Sequence, residues 1–116
     1  MRLPRGKVLR SWSLFRRVRE EGRSFRGRHL VLGVLEAPEV ARTIKVGIIT
    51  TKRLGNAVVR NRVRRRLRGI LQRRGEGLKP GQCLVLVARG PAATADSAAL
   101  EKEWNWLARK AGLYAE

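Results

Sequence analysis

Hydrophobic residues recur at intervals of three and four in three segments of the chain, and this spacing predicts three amphipathic helices. A glycine follows each segment at the position where helices commonly stop, namely Gly22, Gly75 and Gly112. The three apolar faces consist of Leu14, Phe15 and Val18; of Val59, Val63, Leu67, Ile70 and Leu71; and of Leu100, Trp104, Leu107 and Ala111.

Each predicted helix is preceded by small polar residues that suit the N-cap position, where a side-chain oxygen accepts a hydrogen bond from a free backbone N–H. The second helix is the longest and runs to about Arg74. The candidate caps are Ser11 or Ser13 for the first helix, Asn56 for the second, and Thr94 or Asp96 for the third.

Three shorter apolar runs, at residues 30–35, 44–48 and 84–88, predict β-strands. The middle run alternates apolar residues with Lys45 and Gly47, which is typical of a strand with one buried face. Helices and strands therefore alternate in a chain of single-domain length, and we expect one α/β domain over residues 1–116 that starts with a basic arm at 1–10.

The chain is strongly basic, because 27 Lys and Arg residues face only nine acids and give a formal charge of +18 in 116 residues. A compact domain with this charge repels itself, and a polyanion such as nucleic acid relieves the repulsion. No apolar run approaches the roughly 20 residues that span a bilayer, and no secretory signal pattern is present. We therefore expect a cytoplasmic protein without a membrane partner, in which the single cysteine, Cys83, is a small core residue.

The positive charge is concentrated on the second helix. Between Val40 and Gly75 there are twelve Lys or Arg residues and no acid, and eight of the twelve are arginines of residues 60–74. At 100° per residue, one flank of the helix carries Arg60, Arg64 and Arg68, extended by Asn61 and Arg65, while Arg62 and Arg66 project from the other flank. Guanidinium groups donate paired hydrogen bonds to phosphate, so this helix is the candidate surface for binding a polyanion such as nucleic acid.

Residues 52–65, which read Lys-Arg-Leu-Gly-Asn-Ala-Val-Val-Arg-Asn-Arg-Val-Arg-Arg, resemble the signature of the ribonuclease P protein family. The resemblance extends from residue 8 to about residue 113. It implies a two-layer α/β sandwich of order αβββαβα, with a four-stranded sheet, a left-handed βαβ crossover and a ribosomal protein S5 domain 2-like fold. It also implies an additional strand near Arg23-Ser24-Phe25, where the sequence alone is ambiguous.

The resemblance further implies that the chain assists a catalytic RNA, whose bound Mg²⁺ ions activate the water that removes the 5′ leader of precursor tRNA. The implied leader cleft contains Phe15, Val31 and Ala88, although Phe15 serves equally well as a core anchor. Arg19 and Gly33 stand where the family often has aromatic residues, so leader contacts here depend more on charge. The implied RNA-facing residues are Lys52, Arg53, Asn56, Arg60, Asn61, Arg62, Arg64, Arg65 and Arg68.

The chain itself lacks the residues of a protein nuclease, which are commonly a histidine pair or a carboxylate cluster that holds metal ions. It has one histidine, His29, and its acids are scattered. We therefore expect no catalytic or metal-binding residue and no cofactor held by the protein alone. A ribosomal RNA-binding protein is the alternative from another class, since it would share the charge, size and α/β organisation, but residues 52–65 favour the ribonuclease P family.

Overall fold

The computed structural model describes residues 12–36 and 44–114. The predicted arm at 1–10, the candidate cap Ser11 and the side chains of Ser13 and Leu14 lie outside the described residues. The order αβββαβα is confirmed, with short 3₁₀ helices at Lys52–Leu54 and Gly90–Ala93. The elements are α1 (Trp12–Glu21), β1 (Arg23–Arg26), β2 (Leu30–Glu36), β3 (Ile44–Ile49), α2 (Ala57–Arg74), β4 (Gln82–Ala88) and α3 (Ser97–Ala111).

Side-chain caps begin the two long helices. The Oδ1 atom of Asn56 accepts a hydrogen bond from the Val59 N–H at 3.0 Å, as expected for the start of α2. Asp96, rather than Thr94, caps α3 by accepting from the Ala99 N–H at 2.8 Å. Gly112 ends α3 in the left-handed conformation, with φ at 67°, which glycine adopts without a steric penalty.

The four strands form one sheet in the order β1-β2-β4-β3. Strand β2 pairs antiparallel with β1 and β4, while β3 and β4 run parallel and are joined through α2. This is the expected βαβ crossover, whose left hand stays a prediction. The additional strand at Arg23–Arg26 is present and forms one edge of the sheet.

The main core lies between one face of the sheet and helices α2 and α3. Alternate residues of β2 and β4, among them Leu32 and Leu86, pack there against the apolar stripe of α2 and against Trp104, which is completely buried. These layers form the expected sandwich. Helix α1 lies on the opposite face, where Val18 packs on Cys83 and Val85 in a second, smaller cluster.

Glu103 of α3 holds the loop between β1 and β2. Its carboxylate accepts hydrogen bonds from the backbone N–H groups of Arg28, His29 and Leu30 at 3.0, 2.8 and 2.6 Å. It also lies 3.1 Å from Nδ1 of His29. The single histidine therefore belongs to a structural contact that ties α3 to the edge of the sheet.

Candidate nucleic-acid interface

The solvent side of α2 presents the arginine surface that the sequence predicts. The apolar residues Val63, Leu67, Ile70 and Leu71 face the core, and this orientation exposes the opposite side of the helix. Asn61, Arg65 and Arg68 are exposed, whereas Arg60 and Arg64 are half-buried.

The turn before α2 extends this surface. Lys52 and Arg53 are exposed in the 3₁₀ turn, while Leu54 between the turn and the helix is buried in the main core. Gly55 follows with φ at 135°, a conformation that other residues rarely adopt. The buried leucine and the glycine together place the two basic side chains beside the exposed start of the helix.

Arg64 is held in position at the junction of α2 and the sheet. Its two terminal nitrogens donate hydrogen bonds to Thr50 Oγ1 at 2.5 Å and to Asn61 Oδ1 at 3.0 Å. A guanidinium group that is already oriented loses less conformational entropy when it binds a phosphate. Thr50 is a site residue that the sequence did not reveal, because its contact joins positions that are fourteen residues apart.

The other flank of α2 is used within the fold. Arg62 donates to the Ala93 carbonyl at 3.2 Å, and Arg66 donates to the Ala95 carbonyl at 2.5 Å. These bonds anchor the segment that leads into α3. Arg62, predicted among the RNA-facing residues, is thus half-buried and has one terminal nitrogen engaged in a structural hydrogen bond.

The last two arginines of α2 pair with α3. Arg73 and Arg74 contact the two carboxylate oxygens of Glu101 at 2.5 and 2.9 Å. The pKa of the Glu101 carboxyl is lowered from its usual value, mainly by the hydrogen bond from Arg73. The hydrogen bond from Arg74 and the positive charges of both arginines lower it further and outweigh burial, which by itself would raise it. The net positive charge available to a ligand is therefore concentrated toward the first half of α2.

A groove of about 720 Å³ lies on the opposite face of the sheet, beside α1. Val31, Val87 and Ile49 occupy neighbouring positions on β2, β4 and β3 and share this face. Phe15 packs on the smaller cluster and also lines the groove, so it has the core contact, while its contact with the leader stays a prediction. Three charged residues of α1, Arg16, Arg19 and Glu20, complete the lining and leave it with a net positive charge.

Ala88 does not lie in this groove, which corrects the sequence prediction. Ala88 is 4% exposed and packs in the main core on the α2 and α3 side of the sheet. Because successive strand residues point to opposite faces, its neighbour Val87 takes the place in the groove. Val87 and Ile49 are the floor residues that the sequence did not reveal.

Gly33 explains how closely α1 approaches the sheet. A Cβ atom at this position would lie 2.8 Å from Cγ1 of Val18, which is too close for an undisturbed contact. A glycine at this position therefore lets α1 pack closely on β2. The apolar row of Val31, Val87 and Ile49 lies next to this contact.

The groove and the arginine surface meet at the end of β3. Ile49 lines the groove, and the next residue, Thr50, accepts the hydrogen bond from Arg64 of α2. In the part of the chain that the structure describes, no group of three His, Cys, Asp or Glu side chains is arranged to hold a metal ion. Within residues 12–36 and 44–114, no helix combines the length and the hydrophobicity needed to cross a membrane.

The fold and the arginine surface define a basic α/β protein of the nucleic-acid-binding class. The family model described as Ribonuclease P matches residues 3–112. The chain therefore belongs to the ribonuclease P protein family, whose members are the protein component of an endoribonuclease that acts in tRNA 5′ processing.

Curated relatives carry the same family name. The ribonuclease P protein component of Thermus oshimai is 43% identical over 107 residues, which are 92% of this chain and 66% of that protein. The ribonuclease P protein component of Bacillus velezensis is 38% identical over 100 residues, which are 86% of this chain and 84% of that protein.

Solved structures show the same fold at lower sequence identity. The RNase P protein of Staphylococcus aureus matches with a TM-score of 0.85 and 22% identity, covering 94% of this chain and 98% of that one. The RNase P protein of Thermotoga maritima matches with a TM-score of 0.76 and 22% identity, covering 88% of this chain and 96% of that one. The mixed α/β architecture with a four-stranded sheet is thus the architecture of the family.

Proposed function

We propose that this chain binds the catalytic RNA of ribonuclease P through the exposed side of α2 and holds the 5′ leader of precursor tRNA in the groove. The observation that carries the proposal is the junction at the end of β3, where Ile49 of the groove is followed by Thr50, which orients Arg64. The proposed site for single-stranded RNA and the proposed site for the phosphates of a folded RNA thereby adjoin at consecutive residues of the chain.

The arginine surface suits a folded RNA. Arg60, Arg64, Arg65 and Arg68 extend along α2 without an acid between them, and planar guanidinium groups bind phosphate oxygens through paired hydrogen bonds. Each neutralised phosphate releases a condensed counterion, which favours binding by a chain of this charge. Lys52, Arg53, Asn56 and Asn61 add polar contacts at the start of the helix.

The groove suits a single strand of RNA. Its floor is apolar, Phe15 offers an aromatic surface, and Arg16 and Arg19 stand beside it for the phosphates. Unpaired bases stack on aromatic and apolar surfaces whatever their identity, since every base has a π face. Because Arg19 and Gly33 replace family aromatics, we propose that charge contributes more than stacking to leader binding in this protein.

The chemistry of cleavage is assigned to the RNA in this proposal. Mg²⁺ ions held by the catalytic RNA and the substrate would activate the attacking water, and the protein would bind and orient the precursor in the cytoplasm. His29, the one histidine, is engaged with Glu103 in a structural contact. The protein positions the precursor tRNA through the apolar and charged contacts of the groove and of the arginine surface.

Reconstitution tests the proposal. We expect the purified chain alone to leave precursor tRNA intact, and the chain with a bacterial ribonuclease P RNA and Mg²⁺ to release the 5′ leader. The measurement is gel analysis of end-labelled precursor at low Mg²⁺, where the RNA alone serves as the control. Cleavage by protein without RNA would overturn the non-catalytic assignment. Purification of the chain from cells with ribosomal RNA only would favour the ribosomal alternative.

Phe15 provides a test of the groove. Phe15→Ala should weaken the binding of precursor tRNA by about 1–3 kcal/mol, the usual range for a lost base–aromatic contact, and should leave mature tRNA binding nearly unchanged. The measurement is the affinity of the reconstituted holoenzyme for both substrates, with Phe15→Leu as the control that preserves apolar volume. An equal loss for both substrates would return Phe15 to a purely structural role.

A further inference from the structure

The outer face of α3 carries a tryptophan that the core does not use. Trp104 of this helix lies in the main core and is completely buried, whereas Trp106, two positions later, is 49% exposed. Single exposed apolar residues are common on protein surfaces, so the exposure alone assigns nothing. The surroundings of the indole are what distinguish this position.

Positive side chains lie on the same side of α3 as the indole. The Nζ atom of Lys110 lies 4.5 Å from the centroid of the Trp106 ring, within the range of a cation–π contact. Lys102 and Arg109 lie four residues before and three residues after Trp106, share its side of the helix and are exposed. We call Lys102, Trp106, Arg109 and Lys110 the α3 patch.

The two acids of α3 nearest to the α3 patch are engaged elsewhere, while Glu76 shares a cavity with Arg109, Arg73 and Arg74. Glu103 directs its carboxylate to the backbone N–H groups of the loop between β1 and β2. Glu101 pairs with Arg73 and Arg74 on the α2 side of the helix. The α3 patch therefore has one cation over the aromatic ring and two more on the same side of the helix, and single-stranded nucleic acids bind such combinations of an aromatic ring with positive charges.

We propose that the α3 patch is a second RNA-binding site, at which an unpaired base stacks on Trp106 while Lys102, Arg109 and Lys110 contact the flanking phosphates. The site lies on the side of α3 that faces away from the core, and none of its residues lines the groove beside α1. Arg109 borders a cavity with Arg73 and Arg74 at the end of α2, but Arg60, Arg64 and Arg68 of the arginine surface do not line that cavity. The α3 site depends on the proposed function in one respect, namely that the polyanion bound by the protein is RNA. A second copy of this chain is a poor occupant, because two molecules of charge +18 repel each other.

Tryptophan fluorescence and RNA affinity together test the site. The probe is a fluorescein-labelled single-stranded RNA of mixed sequence and about 12 nucleotides, within the usual site size of such surfaces. We expect saturating RNA to reduce acrylamide quenching of the wild-type protein, and Trp106→Leu to abolish that reduction. Trp106→Leu should also weaken binding about tenfold, while the matched variant Trp106→Phe, which keeps an aromatic ring, should lose much less.

The variant with Arg60, Arg64 and Arg68 replaced by Ala separates this site from the α2 surface. At an RNA concentration that saturates it, this variant should still protect Trp106 from acrylamide. If the proposed role of α2 is wrong, the triple variant binds like wild type and the result at Trp106 is unaffected. Unchanged quenching of wild-type protein at saturating RNA would overturn the α3 site. Protection that grows with protein concentration in the absence of RNA, with dimers in sedimentation, would also overturn it in favour of a protein interface.

Discussion

Replacing Arg60, Arg64 and Arg68 together by alanine should weaken binding to the catalytic RNA at least about a hundredfold, since each charged hydrogen bond contributes about 1.5–3 kcal/mol. The dependence of log affinity on log salt should fall by about two to three units, because each lost phosphate contact releases about one counterion fewer. The measurement is the dissociation constant across a salt titration, by filter binding or fluorescence anisotropy.

The fold should survive these substitutions. Arg68 is exposed, and Arg64 gives up its hydrogen bonds to Thr50 and Asn61, so we expect a total loss of about 1–2 kcal/mol of stability. The matched control replaces the same three residues by lysine. The lysine variant keeps the positive charge, so the salt dependence of its RNA affinity should match that of wild type. Its affinity should fall moderately, because lysine lacks the planar guanidinium group that donates two parallel hydrogen bonds to a phosphate. If the alanine variant folds and its RNA affinity keeps the salt dependence of wild type, the three arginines contact solvent and not the phosphates of the RNA.

Val63→Asp should unfold the domain. Val63 is fully buried in the main core, where α2 packs on the sheet. A carboxylate at that position would be unpaired and removed from water, at a cost of several kcal/mol, and the apolar contacts of valine would be lost as well. Domains of this size are stable by only about 5–15 kcal/mol, so little cooperative folding should persist. Circular dichroism and a thermal melt give the measurement.

Val58→Asp is the matched control on the same helix. Val58 is 72% exposed at the second position of α2, so the new carboxylate stays in water and lies near the positive end of the helix dipole. Such a placement usually stabilises a helix by about 0.3–1 kcal/mol, and the melting temperature should be equal to or slightly above that of wild type. Equal destabilisation by both substitutions would contradict the orientation of α2 described here.

Local signals in the sequence were sufficient to locate the helices and to identify the family. Asn56 and Asp96 are strong caps, and the stripe of Val63, Leu67 and Leu71 leaves α2 only one way to pack, so the exposed arginines follow directly. The segment from Lys52 to Arg65 identified the family because many specific residues coincide in a strand-to-helix context.

Tertiary structure decided which side chains reach the groove. Strand β4 is apolar from Cys83 to Ala88 and buried on both faces, so its sequence contains no alternation that separates Val87 from Ala88. Only the pairing with β2 and β3, and the position of α1 on one side, assigns Val87 to the groove and Ala88 to the core. The mostly polar strand β1 likewise depends on its partner, because β2 supplies the hydrogen bonds that make it a strand.

Tertiary structure also decided which arginines of α2 are hydrogen-bonded to other parts of the fold. Their helical positions show that Arg62 and Arg66 lie on one flank, but the carbonyl groups that bind them belong to residues 31 and 29 positions later in the chain. A helical wheel displays the direction of a side chain and not what lies opposite it. The sequence by itself therefore determined that α2 is a basic helix with one buried face. Packing against α3 and against the segment before it determined which of its arginines are engaged within the fold.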